Sequence, residues 1–148
     1  MRPAVPVVFQ TMAKDLLERV IPAISPAYHQ GTIGMIASML SITGEEWDRS
    51  ASRRIEENGR LREIFREGAK VSSNAALNTR LIRLAETTDS DFRISALESN
   101  NCTLRATLIE LHAQIELQSG AEARRLEEII WKELARSTER RRLSTAPF

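Results

Sequence analysis

Cysteine, histidine and aromatic side chains are scarce here. The 148 residues hold one cysteine, Cys102, two histidines, His29 and His112, and aromatic residues at 5%. A single cysteine excludes an intrachain disulfide framework and fits a reducing compartment, so a cytoplasmic location is expected. Two histidines are too few for a histidine-built metal centre, and the paired Glu-x-x-His motifs of carboxylate-bridged di-metal bundles are absent. No metal and no cofactor are expected. GxSxG, SxxK, GxxxxGK[ST] and GxGxxG are missing as well, which removes common hydrolase and nucleotide-binding readings. Nor is there an excess of charge of one sign. Lys plus Arg number 21 against 20 for Asp plus Glu, a formal net charge of +1, so no global field draws the chain to nucleic acid. Long hydrophobic runs are lacking too. Thr32 to Thr43, the most apolar internal stretch, is broken by small and polar residues and falls well short of the roughly 20 residues that span a bilayer. Met1 to Phe9 carries one arginine, two prolines and too short an apolar run for a secretory leader. No membrane partner is expected.

Apolar residues at helical spacing fill most of the remainder. Met12, Leu16, Leu17, Val20, Ile21 and Ile24 step by three and four, with Lys14, Asp15, Glu18 and Arg19 opposite, and define a first helix bracketed by Pro22 and Pro26. Ser25 before Pro26 has the form of an N-cap and first-position proline for a second helix. Its stripe runs Ile33, Ile36, Leu40, Gly44, Trp47, Ala51, Ile55, Asn58, Leu61, Phe65, and it is expected to end at Gly68, Ser72 and Ser73. A shorter helix, capped by Ser73, carries Leu77, Asn78, Leu81, Ile82 and Ala85. After a polar stop and a capping-box spacing at Thr88 and Asp91, a fourth stripe comprises Leu97, Asn101, Leu104, Leu108, Leu111 and Ile115. Ser119 with Glu122 opens a fifth through Leu126, Ile130 and Leu134, unless helices four and five are continuous. No period-two, β-branched run predicts a strand. The expected fold is an all-α antiparallel helical bundle of four main helices plus one short helix. It forms a single domain over 9–143, with 1–8 and 144–148 as flexible termini.

Asparagine stands three residues before leucine at Asn58, Asn78 and Asn101, on or beside these stripes. A buried amide must find partners or destabilise the fold, so these three are expected to be structural polar groups that fix helix packing. His112 and Glu116, four apart, share a helix face suited to a joint ligand or an acid/base pair. His29 sits beside Tyr28 in the first turn of the second helix. Tyr28, His29, His112 and Glu116 are therefore the candidate ligand-binding residues, and no catalytic residue is assigned. Cys102 adjoins a core stripe, where free cysteine behaves as a small hydrophobe. Trp47 and Trp131 suit either packing or an interface. Arg136, Arg140, Arg141 and Arg142 cluster at a helix C-terminus, where the dipole favours cations, and Glu133 and Glu139 interrupt them, which argues against a nucleic-acid surface. The expected function is a helical protein–protein interaction or accessory role with no chemical step, most simply as a homodimer or with an unidentified protein partner. The alternative is a small-ligand-binding bundle or enzyme with a pocket built on His29 and His112.

Overall fold

A computed structural model describes residues 3–25 and 27–144. The protein is all-α: α1 (Val5–Asp15), α2 (Ala27–Val71), α3 (Ala75–Ala85), α4 (Ile94–Glu116) and α5 (Ala121–Arg141), with no strand among the described residues. No helix among them is long and apolar enough to cross a membrane. The chain divides into two compact units. One comprises the described residues within Met1–Ser50 and Leu143–Phe148, the other Ala51–Arg142.

In the first unit, α1 starts seven residues before the sequence pattern suggests, because Pro6 in its first turn has no N–H to lose and its fixed φ suits a helix start. Further on, Pro22 removes an N–H and crowds the carbonyl four residues back, and the backbone opens to a π-helical turn over Leu16–Val20 before tightening to a 3₁₀ turn over Ile21–Ala23. Pro26, the expected first residue of the second helix, lies outside the described residues. The buried groups of this unit are small. Ala13 and Ala37 have almost no exposed surface, and Gly44 sits with its Cα hydrogen toward Pro6 and Phe9, where an added Cβ would come within 3.3 Å of Phe9 Cβ.

The second unit is a four-helix bundle formed by the part of α2 from Ala51 onward, α3, α4 and α5. Its core joins Leu61, Ile64 and Phe65 of α2 to the α3, α4 and α5 stripes. Those three stripes were legible at Leu77, Leu81 and Ala85, at Leu104, Leu108, Leu111 and Ile115, and at Leu126 and Ile130, all buried. Neighbours along the chain run antiparallel. Arg66 of α2 donates to the Ala85 carbonyl at the far end of α3 at 2.9 Å, and α3 Arg80 pairs with α4 Glu110. α2 and α4, two helices apart in the order, run parallel and touch. Asn58 meets Asn101 near one end, and ten residues on along each helix Gly68 faces Leu111.

Gly68 does not end α2, which continues to Val71. Its function is to let the two helices approach, since a Cβ there would lie 2.6 Å from Leu111 Cδ2. Gly59, in the same helix, has no heavy atom within 4 Å of such a Cβ. Gly68→Val is therefore expected to lower stability by about 1–3 kcal/mol through overpacking. Gly59→Ala should raise it by about 0.5–1 kcal/mol through helix propensity alone. Urea unfolding checks both, and a neutral Gly68→Val would mean that Leu111 yields freely.

The helix starts differ from the expected caps. Asn74, not Ser73, caps α3, its Oδ1 accepting from Leu77 N at 3.0 Å. No side chain caps α4 or α5, so neither the Thr88–Asp91 nor the Ser119–Glu122 box forms. Asp91 instead accepts from Arg93 N at 3.0 Å. α4 and α5 are separate helices, because Gly120 takes φ 131°, a conformation open to glycine and strained for any other residue.

Candidate functional site

Three polar constellations occur in the second unit. The first is the asparagine pair. Asn58 and Asn101, both without appreciable exposure, meet amide to amide, with Asn101 Nδ2 donating to Asn58 Oδ1 at 2.9 Å. Asn58 Nδ2 donates in turn to Asp89 Oδ1 at 3.1 Å and to the Leu97 carbonyl at 3.4 Å. Asn78 belongs elsewhere: it donates to the Ser72 carbonyl at 2.8 Å and ties α3 to the preceding turn. Asp89, in the connection between α3 and α4, is the centre of this group. Arg62 grips it with two parallel bonds of 2.9 Å, Asn100 adds a third donor at 3.0 Å, and both members of the Arg62–Asp89 pair are buried, at 8% and 5% side-chain exposure. The Arg62 bonds, with Asn100 and Asn58, hold the Asp89 carboxyl below its ordinary value despite burial.

The second constellation centres on Glu57 of α2, 2% exposed. Its carboxylate accepts from Arg105 of α4 at 2.6 Å and from Ser137 and Arg141 of α5 at 2.5 and 2.8 Å. Burial pushes this carboxyl up, but Ser137, Arg141 and Arg105 together outweigh it and the net shift is downward. Beside it Arg140 binds Glu133 and, at 3.3 Å, Glu56, while Arg142 lies 3.8 Å from Glu139. The arginines at 140, 141 and 142 thus face carboxylates of their own chain. Neither Glu57 nor Asp89 was singled out from sequence, because a charged residue beside a stripe, like one in a polar connection, normally reads as solvated.

The third lies across the α4–α5 hairpin and includes two of the candidate ligand-binding residues. His112 and Glu116 sit one turn apart on α4, with Nε2 to Oε1 at 3.6 Å. One turn apart on α5 are Glu127 and Trp131. The Trp131 ring meets the His112 ring edge-on, centroids 5.1 Å apart and planes at 82°. The side chain of His112 is only 16% exposed, and its Nε2 is buried with no hydrogen-bond partner. One ligand-type atom from each of His112, Glu116 and Glu127 falls within 4.8 Å of the others, so this trio could hold a cation. Glu127 escaped sequence reasoning because only the Gly120 turn brings it opposite His112.

The other candidate pair, Tyr28 and His29, belongs to the first unit. Both are exposed, with rings in edge contact at 5.6 Å. Clefts in the second unit are lined by Asn74, Arg80 and Glu110, and by Arg60, Lys132 and Arg136, and neither includes His112 or Glu116. Cys102 is exposed rather than packed, its Sγ 3.8 Å from Glu98 Oε1, because Asn101 takes the inward position one residue before it. Trp47 and Trp131 are likewise more than half exposed.

In the first unit, residues 27–44 of α2 contain no Asp, Glu, Lys or Arg. Yet Tyr28, Met35, Ile36 and Met39 are 79%, 59%, 48% and 58% exposed. Three hydroxyls on the same stretch turn inward to their own helix. Thr32 donates to the Tyr28 carbonyl at 3.3 Å, Ser38 to Gly34 at 3.0 Å and Thr43 to Met39 at 2.7 Å.

Compared with protein-family models, with curated proteins and with solved structures, the chain matches none of them.

Proposed function

We propose that this protein is a helical interaction protein that self-associates through the uncharged face of α2. The observation that carries the reading is the exposure of Tyr28, Met35, Ile36 and Met39 on an 18-residue helical stretch with no Asp, Glu, Lys or Arg and with His29 as its one titratable base. Exposed apolar surface of this extent marks an interaction site. The back-bonded hydroxyls of Thr32, Ser38 and Thr43 mean that removing water from the face leaves these three donors satisfied. A face without charge offers a charged partner nothing to pair with, whereas a second copy meets it with the same apolar surface, as an isologous two-fold contact requires. Trp47, 62% exposed farther along α2, extends the apolar surface of this unit.

Sedimentation across a concentration series tests the reading. The wild type is expected to sediment as a dimer, and Met35→Glu with Met39→Glu to shift it to monomer, because two facing pairs of buried carboxylates cannot be desolvated. Both sites are exposed, so the helical content of the variant should be unchanged. A monomeric wild type at all concentrations, or a dimer indifferent to the double substitution, would refute the proposal.

A further inference from the structure

Beyond that reading, we propose that His112, Glu116 and Glu127 form a binding site for one divalent transition-metal ion of the zinc class, spanning the α4–α5 hairpin. Three observations converge on it. The donor set is an imidazole nitrogen with two carboxylates, a mixed nitrogen and oxygen set that suits Zn²⁺ and its neighbours better than the all-oxygen preference of Mg²⁺ or Ca²⁺. The buried His112 Nε2 lacks a hydrogen-bond partner, and a metal is one of the few groups that an unprotonated nitrogen there can engage.

The third observation is the spacing. Ligand atoms around a tetrahedral Zn²⁺ lie about 3.4 Å apart, given bonds of roughly 2.0–2.1 Å. The His112–Glu116 separation of 3.6 Å already matches this. All three donors lie within 4.8 Å, so the remaining closure is at most about 1.4 Å. Both separations still to close involve Glu127, a half-buried side chain whose rotation supplies that closure. Three protein ligands leave a fourth position open to water or to a donor from another molecule.

The site also fixes a conformation. Two ligands come from the last turns of α4 and the third from the second turn of α5, so an ion links both sides of the Gly120 turn. Metal that binds only the folded hairpin stabilises it by mass action.

Trp131 makes the test direct. The chain has two tryptophans, so Trp47→Phe leaves Trp131, in ring contact with His112, as the only indole. Titrating the untagged full chain with Co²⁺ is expected to quench Trp131 with one-to-one stoichiometry, and Zn²⁺ to displace the Co²⁺ while Mg²⁺ does not. Saturating Zn²⁺, at a hundredfold excess over its Kd, should raise the Tm by roughly 5–10 °C. Glu127→Gln keeps the shape of the side chain and removes the charge, and should weaken binding at least roughly tenfold. His112→Ala should do the same or more, and Glu128→Gln, one residue off the face, should change nothing. Absence of saturable quenching up to about 1 mM metal overturns the proposal. So does a Glu127→Gln chain that folds and binds as the wild type, which would put the ion elsewhere.

Discussion

Asp89→Ala should cost about 3–5 kcal/mol of unfolding free energy, the expected penalty for leaving a buried guanidinium without its carboxylate. Arg62 is 8% exposed, and its remaining partner in that corner is the Thr87 hydroxyl at 3.1 Å. Asn100 would lose its bond to Asp89 too, and Asn58 would keep the Leu97 carbonyl. Urea unfolding measures the loss. Arg62→Met in the same chain should restore part of it, because an apolar side chain of similar length has no charge to strand. A double-mutant cycle is expected to return a coupling of about 1–3 kcal/mol, and strictly additive single effects would show that the pair acts independently.

Arg105→Ala with Arg141→Ala is expected to destabilise by a similar amount, about 3–5 kcal/mol near pH 7, by isolating the Glu57 carboxylate in the interior with Ser137 as its remaining donor. Here pH separates a charge effect from lost packing. In the wild type the Glu57 carboxyl is held below its ordinary 4.5. Its contribution is therefore fully present above that value and disappears as pH falls through the lower folded value. Asp89, held below its ordinary 3.8 chiefly by the Arg62 bonds, behaves in the same sense, so acid unfolding should be steep.

In the double variant burial acts on Glu57 with only Ser137 opposing it, and the sign reverses. The folded carboxyl rises above 4.5, protonation relieves the buried charge, and the gap between variant and wild type narrows as pH is lowered from 7 toward 4. A gap that is constant across this range would assign the loss to side-chain packing.

Much of the bundle could be read from spacing, and the physical reason is that its stripes are built from large residues with charge opposite. Every position named on the fourth stripe, from Leu97 through Asn101 to Ile115, is buried. The same logic misreads the first half of α2. There Ile36 was placed on the inward stripe and is exposed, as is Trp47 just beyond, while Ala37 was left off it and is buried; Gly44, placed on it, is buried as expected. A helix without charges has no solvent face to set its phase, and small residues that admit a close neighbour leave no mark in a count of large ones. Cap positions were missed for a related reason, since several serines, threonines and asparagines compete within each turn and only the path of the chain chooses among them. Of the candidate site, the i,i+4 pair His112 and Glu116 was visible. Glu127 was not, being selected by the turn at Gly120 rather than by any local pattern.

The last turn of α5 is bonded to a part of α2 that precedes it by 84 residues, through Arg140 to Glu56 and Arg141 to Glu57. During synthesis Glu57 leaves the ribosome well before its arginine and serine partners on α5 exist. Until those arrive, burying it would leave Arg105 of α4 as the one partner of a buried carboxylate, which disfavours closing the stripes of α2, α3 and α4 early. Closure of the second unit is thereby expected to follow the making of its final helix, since contacts this distant in sequence form late.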